Sequence, residues 1–238
     1  MAQFEMTPQS AFEATAVGAS ERITAFLQKV YGWMFVGLAI SAGTAFAVAT
    51  TEAGRALIRN PIVFFGSILV ELGLVFYLSA RVAKMKPDTA AILFIVYSAL
   101  NGFTLSLVLM AYTPASLATT FLVAAGMFGG MALWGTTTKR SLAGAGQFFF
   151  MGLIGIILAS LAQLFFRSPA LNFVISVVGV IVFTGLAAYD AQRMKAMALA
   201  VPEGKAGGSF AVVGALSLYL DFVNLFLFLL RFLGGRRD

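Results

Sequence analysis

Seven stretches of roughly 20 apolar residues, near positions 30–49, 60–80, 90–112, 116–135, 147–166, 171–192 and 209–233, recur along the 238-residue chain. Each is long enough to cross a hydrocarbon core of about 30 Å as a helix. Within a bilayer every backbone N–H and C=O must find its partner inside the protein, so repeated runs of this length predict a bundle of spanning helices. Composition agrees: 60% hydrophobic and 11% charged residues, with a mean hydropathy of +0.93, lie outside the range of soluble domains. The expected fold class is all-α, a polytopic membrane protein with seven transmembrane helices. Connections such as Thr113-Pro114-Ala115 and Arg167-Ser168-Pro169 are too short for another domain, and their prolines mark helix starts. The expected organisation is an N-terminal cytoplasmic tail over 1–29, one membrane domain over 30–235 and a basic C-terminal tail over 236–238.

The net charge of +6 raises nucleic acid as a partner, but Lys and Arg are scattered between the apolar runs and form no basic stripe. The lipid bilayer is the expected partner and nucleic acid is not. Placing the N-terminus inside puts ten basic residues on the cytoplasmic side (Arg22, Lys29, Arg81, Lys84, Lys86, Lys139, Arg140, Arg193, Lys195 and Lys205). Six fall opposite: Arg55, Arg59, Arg167, Arg231, Arg236 and Arg237. Among the connections alone the bias is eight to three, which favours the N-in orientation. The basic C-terminal end dissents from it. Met1 to Gln28 is polar and mildly acidic and does not read as a signal peptide. Short connections and the absence of cysteine point to a bacterial inner membrane. With neither Cys nor His in the chain, thiol nucleophiles, Cys/His metal sites and imidazole relays are excluded together. Titration near neutral pH falls to carboxylates.

Two carboxylates stand where such a chain carries them at a cost. Asp190 closes the apolar part of the sixth run and Asp221 lies deep in the seventh. An ionisable residue at membrane depth costs about 2.5–3.5 kcal/mol on insertion scales and is a functional candidate by default. One short connection joins the two runs, so their helices can lie side by side. Simple counting puts Asp190 nearer the cytoplasmic end than Asp221, a mismatch that tilt or a shifted helix start would remove. Glu71 in the second run, Asn101 in the third and Asn224, three residues beyond Asp221, add polar groups at similar depth. Each also has a purely structural reading. Asp190 could pair with Arg193 or Lys195 at a helix end, and Glu71 could join two helices as a neutral hydrogen-bonding group.

Tyr189-Asp190-Ala191-Gln192, Leu218-Tyr219-Leu220-Asp221-Phe222-Val223-Asn224-Leu225-Phe226 and Glu71-Leu72-Gly73-Leu74 resemble the Bax inhibitor (transmembrane Bax-inhibitor-motif) family, in a bacterial form. The resemblance extends from Tyr31 to Gly235. It implies a seven-helix fold whose last helix is central to two three-helix groups, and a pH-sensitive calcium leak across the membrane. It implies further that Asp190 and Asp221 form a hydrogen-bonded pH-sensing pair, latched by a basic residue ending the second helix. Arg81 matches that latch by position, with Lys84 as the alternative. The basic C-terminus departs from the more acidic one of some relatives.

Carboxylate chemistry permits that function. Two carboxyl groups in contact in a poorly solvated site cannot both ionise cheaply, so they hold one proton between them. Losing it sets two like charges against each other and favours separation of the helices unless a cation or Arg81 compensates. Calcium prefers oxygen ligands, commonly 6–8 of them. Asp190 and Asp221 with Glu71, Asn101 and carbonyls would hold it weakly, as a leak requires. No tightly bound cofactor is expected. A non-conducting regulator of a membrane partner such as a quality-control protease is the alternative, suggested by the resemblance. An enzyme is not expected: the Gly-x-Gly of intramembrane aspartyl proteases is missing before Asp221, and the Pro169-Ala170-Leu171 string precedes both aspartates. The run 209–233 has no lysine for a retinal Schiff base. Gly126 with Gly130, and Gly152 with Gly155, read as packing positions.

Overall fold

The computed structural model describes the backbone of residues 8–201 and 205–235 and the side chains of residues 17–201 and 207–235. The basic tail expected over 236–238, and the first seven residues of the expected N-terminal tail, lie outside the described residues. Among the described residues eight α-helices follow in order: α1 Pro8–Thr50, α2 Glu52–Arg59, α3 Pro61–Arg81, α4 Pro87–Ala111, α5 Pro114–Thr137, α6 Ala143–Phe166, α7 Pro169–Ala200 and α8 Lys205–Leu233. Seven of them are long and apolar enough to span a membrane, the short α2 being the exception. The protein is an all-α polytopic membrane protein.

The helix starts are written locally. Proline occupies the first turn of α3, α4, α5 and α7, where its missing N–H would have had no intrahelical partner. Asn60 Oδ1 accepts from the Ile62 and Val63 amides at 3.0 and 3.4 Å. Thr113 Oγ1 accepts from Ser116 N at 3.3 Å and Ser168 Oγ from Leu171 N at 3.3 Å. These caps satisfy the orphan amides of each first turn. Two helices exceed their apolar runs. α1 continues without a break through the junction of the expected tail and first span, and α7 carries on past Asp190 to Ala200. Asp190 is therefore set within a helix, not at its end. Hydropathy marks where a helix leaves the apolar layer, whereas backbone hydrogen bonding carries it further.

α4 packs on α1 and α3, α7 packs on α5 and α6, and α8 packs on α1, α4, α5 and α7 with a smaller contact to α3. In the most apolar stretch of α8, 67% of residues are buried, against 6% in α6. The core gathers around α8: Tyr219 meets Phe94 and Tyr97 edge-on at 5.9 and 5.8 Å, and Phe222 meets Phe128 at 5.6 Å. Such edge-to-face contacts suit the ring quadrupoles. The expected packing role of Gly126 and Gly130 is not what the fold shows, because a side chain at either would meet open space. Helix backbones approach closely instead at Gly135, where an added methyl would strike the Ala188 backbone of α7, and at Gly102, where it would strike the Ser41 backbone of α1. A small residue allows close packing only where a partner helix crosses it, and sequence does not reveal the crossing.

Hydrogen bonds tie the connections together end by end. Arg22 Nη2 donates to Val201 O at 3.2 Å, Ser209 Oγ to Met85 O at 2.6 Å, Gln192 Nε2 to Arg140 O at 2.8 Å and Lys195 Nζ to Thr136 O at 3.0 Å. Gly235 N donates to Ser116 Oγ at 2.9 Å and Thr113 N to Gly235 O at 3.2 Å at the other end. The first end gathers the residues assigned to one side by charge, including Arg22, Arg140 and Lys195.

Candidate functional site

The carboxyl groups of Asp190 on α7 and Asp221 on α8 come within hydrogen-bonding reach of each other. Direct packing of α7 on α8 makes this possible. Asp221 is 5% exposed, and its Oδ2 is buried without a hydrogen-bond partner among the described residues. Asp190 is half-buried. Arg193, one turn further along α7, is exposed and acts on Asp190 through its charge. A charge contact of Asp190 with Arg193 thus coexists with its pairing to Asp221, but within α7 and not at a helix end. The fold brings the aspartates together despite their unequal depths in simple counting, because α7 extends beyond its apolar run.

Both aspartates line a cavity of about 860 Å³ whose wall also includes Glu71, Tyr97, Gln147, Arg193 and Asn224. Apolar side chains of α3 and α6, among them Leu72, Phe76, Phe150 and Ile154, complete it. Asn224 Nδ2 donates to Leu220 O at 2.8 Å within α8. Glu71 bonds to α4: Oε2 accepts from Asn101 Nδ2 at 3.1 Å and Oε1 from Thr104 Oγ1 at 3.1 Å. Among the described residues no three acidic side chains come together as a metal cage.

Arg81 does not line this cavity. It is exposed at the end of α3 and borders a separate cavity of about 340 Å³ with Lys84 and Lys86. The basic side chain facing the paired aspartates is Arg193.

A second polar chain joins four helices. Tyr219 Oη donates to Asn101 Oδ1 at 2.8 Å and lies 2.6 Å from Ser41 Oγ. Ser41 Oγ in turn lies 2.7 Å from Ser98 O and 3.0 Å from Gly37 O. Through Asn101 the chain reaches Glu71, linking α1, α3, α4 and α8. Polarity at membrane depth singles out Glu71 and Asn101 from sequence, but not Thr104, Tyr219 or Ser41. Thr104 carried a usable signal, three residues beyond Asn101 and so on the same helix face. A lone serine in an apolar run carried none.

A helical membrane domain with a carboxyl pair at the edge of a partly polar interior cavity defines a polytopic membrane protein with an acidic intramembrane site. The family profile described as "Inhibitor of apoptosis-promoting Bax1" matches residues 23–238, and the chain belongs to that Bax inhibitor family. It is 46% identical over 215 residues to "Inner membrane protein YbhL" of Escherichia coli (strain K12), covering 89% of this chain and 92% of that protein. Identity to a protein of Borreliella burgdorferi is 47% over 215 residues, covering 90% of this chain and 93% of the relative. A protein of Deinococcus radiodurans is 39% identical over 242 residues, with coverage of 100% and 98%.

Proposed function

We propose that the protein is a pH-sensitive cation leak pathway of a bacterial inner membrane, gated by protonation of the Asp190–Asp221 pair and passing calcium among its ions. The observation that carries the reading is the close approach of two intramembrane carboxyls on adjacent helices, at the edge of a cavity that also holds Glu71 and Asn224. A hydrogen bond between them needs a proton. When that proton leaves, two negative groups face each other across the α7–α8 contact, and separation of those helices relieves the repulsion. Oxygen-rich, weakly coordinating surroundings are what a hard cation in transit requires.

An inward-facing N-terminus is part of the proposal, supported by the clustering of basic connections at the end that holds Arg22. Arg193 is the basic side chain placed to compensate the ionised pair, with Arg81 left to a more remote latch role. The test is calcium flux into liposomes carrying the purified protein, measured across pH 5 to 8 for the natural chain, Asp190→Asn and Asp221→Asn. Flux that changes with pH, and a dependence flattened by either substitution, supports the gate. No flux, or a pH response surviving both substitutions in folded protein, overturns it and favours a non-conducting regulator of a membrane partner.

A further inference from the structure

The cavity beside the aspartates is bordered by two helices that do not depend on each other for packing. α3 packs principally on α4, and α6 principally on α7. Between them the wall is formed by Leu72 and Phe76 of α3 and by Phe150, Ile154 and Ile157 of α6. All five side chains are exposed, so in a bilayer they stand at the lipid boundary. The polar floor and the apolar wall thus belong to one space that opens sideways between helices. Its volume of about 860 Å³ falls within the range of about 300–1,000 Å³ common for organic ligand sites. A single water occupies about 30 Å³, so a bare ion leaves most of the space unused.

We infer that this cavity is a binding site for a single-chain amphiphile with a protonated amine head, admitted from the bilayer between α3 and α6. Three carboxyl groups, Glu71, Asp190 and Asp221, line the cavity against one guanidinium, Arg193. Each oxygen of Glu71 already accepts one bond, from Asn101 or Thr104. Asp221, 5% exposed, lines the cavity with Asp190 as the carboxyl beside it. An alkylammonium head brings three donors and a positive charge to that pair, while Gln147 and Asn224 add polar surface nearby. Its alkyl tail leaves lipid for an apolar wall and gains little by the exchange, since lipid tails are as apolar as the wall. Selectivity therefore resides in the head, and the tail supplies delivery and shape. This site goes beyond ion passage and does not require it.

The test is photolabelling of the full chain in phosphatidylcholine nanodiscs with a diazirine-bearing dodecylammonium, beside the equivalent dodecanol probe. Ammonium labelling should map to α3 and α6, exceed alcohol labelling, and fall roughly tenfold or more in Asp221→Asn, as when one member of a buried charge pair is lost. Ile154→Trp, which narrows the lateral opening, should reduce it as well. Equal labelling by ammonium and alcohol, or labelling unchanged in folded Asp221→Asn, overturns the site. If Asp221→Asn does not fold, Ile154→Trp decides: undiminished labelling there also overturns it. Selective labelling of a protein that passes no ions keeps the site and removes the gate. Gated flux without selective labelling does the reverse.

Discussion

Two side chains in this protein meet more demands than the apolar residues around them. Tyr219 is a buried ring packed edge-on by Phe94 and Tyr97, and its hydroxyl joins Asn101 to Ser41. Tyr219→Phe keeps the ring and removes the link, so it should destabilise the fold by about 1–3 kcal/mol, the cost of leaving buried partners unsatisfied. Thermal unfolding in detergent would register this as a lower midpoint. Asp221 differs because its bond to Asp190 can lose its proton. Flux should rise with pH as that proton leaves and repulsion loosens α7 from α8, and Asp221→Asn should hold flux at one level across the range. Proteoliposome flux at stepped pH checks the sign. Arg167 shows a third kind of local demand: it ends α6 at φ 45°, in the left-handed region. Arg167→Gly should raise the unfolding midpoint, since a left-handed residue other than glycine costs about 1–2 kcal/mol.

Among the elements, α5 and α7 show how a helix contact can depend on one missing methyl. Gly135 lies against the Ala188 backbone, two residues before Asp190. Gly135→Ala should push α7 from α5 and destabilise by about 1–3 kcal/mol, as overpacking of a rigid contact does. It should also disturb the aspartate pair. Gly126→Ala, on the open face of the same helix, should raise the unfolding midpoint slightly, since alanine is favoured over glycine in a helix interior by about 0.5–1 kcal/mol. Comparing the two variants separates helix packing from helix propensity, because both exchange the same residue types on α5. The α8 helix is the counterpart: it packs on α1, α4, α5 and α7, and 67% of its most apolar stretch is buried.

At the scale of the whole molecule, charge at the ends of the helices sets orientation. The chain has no cysteine, so single cysteines can be introduced without background. With the N-terminus inside, Lys139→Cys should resist a membrane-impermeant thiol reagent added outside intact cells, and Arg59→Cys should react. The opposite pattern would invert the proposed topology and the direction in which the aspartate pair meets the two compartments.

Much of this architecture is legible from residues alone. Seven apolar runs predict seven spanning helices because the bilayer fixes both their length and their internal hydrogen bonding. Prolines and capping Asn, Thr and Ser residues announce helix starts for equally local reasons, and two acids in apolar runs stand out by the cost of placing them there. Tertiary structure alone decided which groups meet. It extended α7 past its apolar run and paired Asp190 with Asp221, put Arg193 beside them while Arg81 stands elsewhere, and drew Ser41 and Tyr219 into one chain with Glu71. It also gave close packing to Gly135 and Gly102 and left Gly126 and Gly130 facing open space. Hydropathy and capping depend on the solvent and the nearest turn, which neighbouring residues specify. A contact between helices depends on rotation, tilt and depth of both, and those are fixed only when all the faces pack together.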